Sequence, residues 1–168
     1  MAVLKIIKFG DAKLRKKTAE ITDVNREIVL LVMDMFETMY AAPGVGLAAP
    51  QVGVSKKLCV IDVSPEKNRK LVLINPVIIK KEIKAANEEG CLSFPGIYED
   101  VMRFEEITVK FLDIRGQLNE VHATGLLAKA IQHEVDHLNA RLLIDHLPDW
   151  KRKNIEKDIR RKIRAGKW

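Results

Sequence analysis

Gln132-His133-Glu134-Val135-Asp136-His137-Leu138 is the stretch from which the rest of the chain can be read. Residues four apart on a helix project from one face, so the two imidazoles can hold a single metal ion. Glu134 lies beside that face, where its carboxylate can take a proton from a water polarised by the ion. The competing reading is a solvated amphipathic helix that carries two histidines by chance, and three fixed residues in five positions do not exclude it. The helix is expected to start at Thr124 or Gly125. Leu126, Ala130, His133 and His137 fall on one stripe of it, and Leu127, Ile131, Val135 and Leu138 on a second, which is assigned to the core.

A chain of 168 residues with 47% hydrophobic content suits one domain with a substantial core. Met1 to Lys17 contain no apolar run of signal-peptide length, and the longest such run, Ile28 to Met33, is too short to cross a bilayer. No membrane span is expected, and the expected location is the cytoplasm. The two cysteines, Cys59 and Cys91, are too few for a disulfide framework and read as reduced thiols. The net charge of +6 is unevenly placed. Nine Lys and Arg stand against three Asp and Glu in residues 149–168, so the body, 1–148, is formally neutral and the excess sits on a basic appendage.

Apolar residues at Ile28, Leu31, Val32, Met35, Phe36 and Met39 follow a helical repeat after a cap at Asp23 or Asn25, until Pro43-Gly44 ends it. Next comes Gly44-Val45-Gly46-Leu47-Ala48-Ala49-Pro50-Gln51-Val52-Gly53, rich in small residues and free of charge. Its glycines either turn the chain into the strand Leu58–Val63 or leave backbone groups open to a ligand, with the Gln51 amide beside them. No Gly-Lys-Ser/Thr follows, which argues against a phosphate loop. Leu71 to Ile79, interrupted by Pro76, reads as two strand segments with a bend. Glu89-Gly90-Cys91-Leu92-Ser93 reads as a turn. Ile107–Leu112 and Val121–Ala123 read as further strands.

A catalytic ion of this type needs three protein ligands and an open position. A histidine six residues beyond His137 is absent, since position 143 is leucine. Glu156 lies in the basic segment, whereas Cys91 offers a thiolate in a turn that can face the helix, and is the stronger choice. Neither His122 nor His146 has motif spacing, and Asp136 is expected to point away from the ligand stripe.

With these pieces assembled, the chain resembles the peptide deformylases, whose ordered motifs stand here as Gly44 to Gln51, Glu89 to Ser93 and Gln132 to Leu138. The resemblance extends from the segment Phe9–Lys17 to Asp145. It implies that Cys91, His133 and His137 bind one divalent metal ion, iron(II) in this family, with zinc, nickel or cobalt able to occupy the site. It implies Glu134 as general base, and an oxyanion stabilised by the metal, the Gln51 amide and the Leu92 N–H. The substrate it implies is an N-formylmethionyl nascent peptide, with Gly46 supplying backbone contacts. Val45, Leu126, Ala130 and the stem of Glu89 are the candidates for the methionine pocket, and Tyr98 for its rim.

Two departures from the family pattern follow the third motif: Ala140 stands where glycine is usual, and Leu143 where phenylalanine is usual. The expected fold is one α+β domain, with motif-bearing strands packed around a central metal-binding helix and a helix over 149–168. That basic helix resembles the ribosome-binding element of some deformylases, which implies contact with ribosomal RNA. A non-catalytic metal- or RNA-binding accessory of translation is the alternative function.

Overall fold

Why the chain folds as it does is clearest at the first helix of the computed structural model, which describes residues 1–168. Helix α1 (Arg26–Ala41) is capped by Asn25, whose side chain accepts from the Ile28 N–H. Its apolar stripe, Ile28, Val32, Met35, Phe36 and Met39, is buried against Leu47, Leu58, Val60 and Ile74. Beyond it, strands β1 (Gly46–Ala48), β2 (Leu58–Ile61), β3 (Leu71–Cys91), β4 (Phe94–Leu112) and β5 (Leu118–Thr124) form one antiparallel sheet in sequence order. Helix α2 (Gly125–Leu138) follows from Thr124 and lays Ala128, Ile131 and Leu138 on Ala48, Ile107, Val109 and Ala123. The metal-motif helix is thus enclosed by the strands, as an α+β domain requires.

The stretch Leu71–Ile79 is not two separate segments but the start of one strand that runs on to Cys91. Pro76 sits where the register with β4 shifts, between Ile74 and Val77, so its missing N–H forfeits no regular ladder bond. Asn75, with φ 50°, turns its side chain out of the ladder: it accepts from the Ile21 N–H and donates to the Ile21 carbonyl. The Glu89–Ser93 motif is therefore the tip of a long hairpin, with Cys91 its last strand residue and Leu92-Ser93 the turn.

Helix α3 (Asp149–Arg164) begins directly after Pro148 and ends four residues short of the expected 168. Ile159 is buried with Leu14, Phe94, Val101, Leu143 and Ile144, and Ile155 packs on the same cluster. Residues 4–19 form a strap across these parts. The Leu4 N–H donates to Thr38 Oγ1 at 2.8 Å, Ile7 N–H to the Gln51 carbonyl at 2.7 Å, and Phe9 N–H to the Ser93 carbonyl at 2.8 Å. Farther along, Arg15 pairs with Asp145, Thr18 Oγ1 donates to the Leu138 carbonyl at 2.6 Å, and Trp168 Nε1 donates to the Phe9 carbonyl at 2.8 Å.

Candidate active site

His133 and His137 leave α2 on one face, their rings 5.1 Å apart, and the hairpin tip brings Cys91 against them. Cys91 Sγ lies 3.3 Å from His137 Nε2. One donor atom from each of Cys91, His133 and His137 falls within 4.8 Å of the others, which is the spacing a shared ion needs. Asp136, His122 and His146 are outside the trio: Asp136 accepts from His146 Nε2 at 2.7 Å, and His122 pairs with Glu106. Glu156 is likewise no member.

The surroundings fit an ion in this position. Burial, reinforced by neighbouring His133, pushes His137 well below the usual imidazole range, which favours the neutral ring with one nitrogen lone pair available to a ligated ion. His133 Nδ1 lies 2.9 Å from Glu89 Oε1, which turns the other ring nitrogen toward the trio. Glu89 is in turn gripped by Arg103, through Nε to Oε2 at 2.6 Å and Nη2 to Oε1 at 2.9 Å. Burial opposes the Glu89 charge, but the bonds from Arg103 and His133 prevail and hold its carboxyl down at about 2. Arg103 Nη1 also donates to Asp136 at 2.7 Å. A buried guanidinium thus ties the hairpin to α2 on the far side of the ligands.

Glu134 is 4% exposed, and its Oε2 has no hydrogen-bond partner. A buried carboxylate oxygen left without a partner implies a ligand or water that completes it. Burial, only partly opposed by His133, raises this carboxyl to about 7, where it can both accept and return a proton near neutrality. Gly46 lies against it: a Cβ there would sit 2.5 Å from Glu134 Oε1. The close approach here is to the Glu134 side chain, and Gly46 is not among the glycines at positive φ, whereas Gly53, at φ 83°, does turn the chain.

Gln51 is fully buried, its Oε1 accepting from the Ala48 N–H at 2.9 Å. Its Nε2 donates to Ser93 Oγ at 3.2 Å and lies 3.7 Å from Cys91 Sγ, so the amide donor faces the trio. Leu92 follows Cys91 in the turn. A cavity of about 430 Å³ opens here, lined by Val45, Gly46, Gln51, Glu89, Leu92, Leu126 and Ala130 together with Cys91, His133 and Glu134. Val45 and Leu126 are exposed at its mouth, and Ala130 is buried inside. Tyr98 lies over Gly90, where a Cβ would meet its ring at 2.7 Å, and also lines the cavity.

Arg103, Ser93 and the side chain of Gln132 are residues that sequence reasoning missed. Gln132 binds α2 to β4, accepting from the Phe104 N–H at 2.9 Å and donating to its carbonyl at 2.8 Å. For Arg103 a signal existed: it shares the odd-numbered register of Val101, Ile107, Val109 and Phe111, which point into the core.

Comparison with known proteins gives the same answer over nearly all of the chain. The family model described as polypeptide deformylase matches residues 3–153. The peptide deformylase of Endomicrobium trichonymphae is 56% identical over 168 residues, covering 100% of each chain. The crystal structure of a peptide deformylase from Legionella pneumophila superposes with a TM-score of 0.91 at 43% identity, covering 98% of both chains. A peptide deformylase from Ehrlichia chaffeensis, solved in complex with actinonin, gives a TM-score of 0.91 at 38% identity over 96% of this chain and 98% of that one. Motifs, site geometry and likeness across the full length agree, and the chain belongs to the polypeptide deformylase family.

Proposed function

We propose that this chain removes the formyl group from the N-terminal methionine of newly made polypeptides, releasing formate, with Cys91, His133 and His137 holding one divalent metal ion. A mixed thiolate and imidazole set accepts iron(II), zinc, nickel or cobalt, and iron(II) is our assignment. When bound, the ion supplies Lewis acidity and makes hydroxide available near neutral pH. The observation that carries the reading is the unpartnered Glu134 oxygen, buried beside the ligand trio at the floor of the cavity.

In this reading Glu134 takes the proton of the attacking water and delivers it to the departing amine as the C–N bond breaks. The Gln51 Nε2 donor and the Leu92 N–H stabilise the charge that develops on the formyl oxygen. Strand β1 is paired only with β2, so its outer edge can accept an extended peptide backbone at Gly46. Val45, Leu126, Ala130 and the methylene stem of Glu89 receive the methionine side chain, while the Glu89 carboxylate holds His133. Formate release from a formyl-methionyl peptide by anaerobically purified protein, with metal analysis of the same sample, tests the reaction and the ion together. Activity without a stoichiometric divalent metal would overturn the assignment.

The same reading places the protein in the cytoplasm, meeting nascent chains at the ribosome, and no helix is long and apolar enough to cross a membrane. Helix α3 buries Ile159 but exposes Lys153, Lys157, Arg160 and Arg164, a basic face suited to RNA phosphates. Changing these four to alanine should abolish salt-sensitive cosedimentation with ribosomes and leave turnover of a short formyl peptide intact. Undiminished cosedimentation would remove the docking role.

A further inference from the structure

A second cavity, of about 360 Å³, opens on the opposite side of the Glu89–Arg103 pair from the catalytic one, and Arg103 lines it together with Lys81, Lys84, Phe104 and Arg141. Its two carboxylates are already engaged. Asp136 holds Arg103 Nη1 and His146 Nε2, each at 2.7 Å, and Asp145 holds Arg15, with Nη2 at 2.9 Å. Lys81, Lys84 and Arg141 form no ion pair, so the cavity carries three uncompensated cations.

The two lysines are gathered in an unusual way. Side chains three apart on a regular strand point to opposite faces. Yet the Lys81 and Lys84 ammonium groups lie 5.6 and 5.9 Å from the centroid of one ring, that of Phe104. Between them Ile83 has φ 57°, a left-handed conformation foreign to β-branched residues, with its side chain 64% exposed. Strained backbone of this sort concentrates where a surface is shaped for a ligand. Like charges assembled without a counter-ion repel, and an anion between them reverses the sign of that interaction.

We propose that this cavity binds a phosphate group. Lys81, Lys84 and Arg141 supply the charge, and the two N–H groups of Arg103 not used on Glu89 and Asp136 supply further donors. A phosphate suits several donors because it spreads its charge over several acceptor oxygens. The group comes either from free inorganic phosphate or from an RNA backbone. The second source fits the position: the first turn of α3 lies beside the cavity, with Arg152 acting on Asp145.

The test titrates zinc-loaded protein with inorganic phosphate, followed by 31P NMR, and separately with a fluorescent short single-stranded RNA, followed by anisotropy. The double variant Lys81→Ala/Lys84→Ala should bind phosphate at least tenfold more weakly than the parent, and Arg141→Ala severalfold more weakly. Formate release should be unchanged in all of them. A fall in RNA affinity, with a salt slope shallower by about one, identifies the backbone as occupant. Loss of phosphate binding with RNA affinity intact identifies the free anion. Phosphate and RNA affinities that are both the same in the double variant as in the parent overturn the proposal.

Discussion

Replacing Ala140 by glycine should stabilise this protein, and the reason lies in how α2 ends. The Ala140 N–H donates to the His137 carbonyl at 3.1 Å and the Arg141 N–H to the Asp136 carbonyl at 2.9 Å, which is the paired bonding of a Schellman motif. That motif needs a left-handed residue between the two, and Ala140 supplies it at φ 57°. A left-handed alanine costs roughly 1–2 kcal/mol, because its Cβ crowds the carbonyl oxygen that follows. Glycine removes that cost but gains freedom in the unfolded chain, which returns about 0.4–1 kcal/mol. The net gain is about 0.5–1 kcal/mol, or roughly 2 °C in melting temperature for a domain of this size. Differential scanning calorimetry of the metal-loaded pair measures it. At residue 140 Arg15 touches only the backbone carbonyl, at 3.1 Å, so that contact survives the change. A melting temperature that stays level or falls would refute the argument, as would an equal response to Ala140→Val, which should lower it.

Other perturbations follow from the site. Glu134→Ala should retain the metal and the fold while turnover drops by ~10² to 10⁴, the usual contribution of a positioned general base; near-normal formate release with metal bound would remove its role. Arg103→Leu strips the partner from buried Glu89 and from Asp136, at a cost of about 3–5 kcal/mol in urea unfolding, with metal binding weakened ~10- to 100-fold. A stability loss under about 1 kcal/mol would mean the network is not needed. The Tyr40 hydroxyl donates to Asp62 Oδ2 at 2.6 Å, and burial together with that bond raises the phenol from 10.0 to about 12. The fold favours the neutral phenol, so the contribution is whole below the free phenol's value and is lost as pH rises toward the raised one. The stability advantage over Tyr40→Phe should therefore shrink between those two pH values, and a constant difference would show the bond has no part in it.

The fold and site differ in how plainly the residues announce them. Helix α1 was legible because its apolar stripe has an unbroken helical period, and of its two candidate caps, Asp23 and Asn25, the structure uses Asn25. The outer half of the hairpin was not: Lys80, Lys81, Glu82, Lys84, Glu88 and Glu89 show no apolar alternation, since most of these side chains face solvent and the two strands support each other by pairing rather than by core contact. At the site, Cys91, His133 and His137 could be found from ligand chemistry and motif order. The Glu89 carboxylate could not be given its work without Arg103, whose guanidinium reaches across 14 residues to Glu89 and 33 to Asp136. Pairings of that range depend on strand register, and register depends on the bulges beside Pro76 and Ile78, which leave only a faint trace in residue types.

The strap formed by residues 4–19 bears on how the chain is made. Its residues leave the ribosome early, yet Arg15 waits for Asp145 and Thr18 for the Leu138 carbonyl, partners translated 130 and 120 residues later. At about 5–20 residues per second that interval is several seconds or more, during which Arg15 and Thr18 lack these partners, although Leu4, Ile7 and Phe9 meet Thr38, Gln51 and Ser93 sooner. Helix α1 and the hairpin can form while the chain is still growing, but closure belongs to its last stage. The strap also holds the Gln51 and Ser93 carbonyls through Ile7 and Phe9, so these two walls of the catalytic cavity have their partner before α2, which carries the third motif, is made. A partly synthesised copy would therefore carry its first two motifs without a working site, and competence would arrive with closure rather than accumulate along the chain.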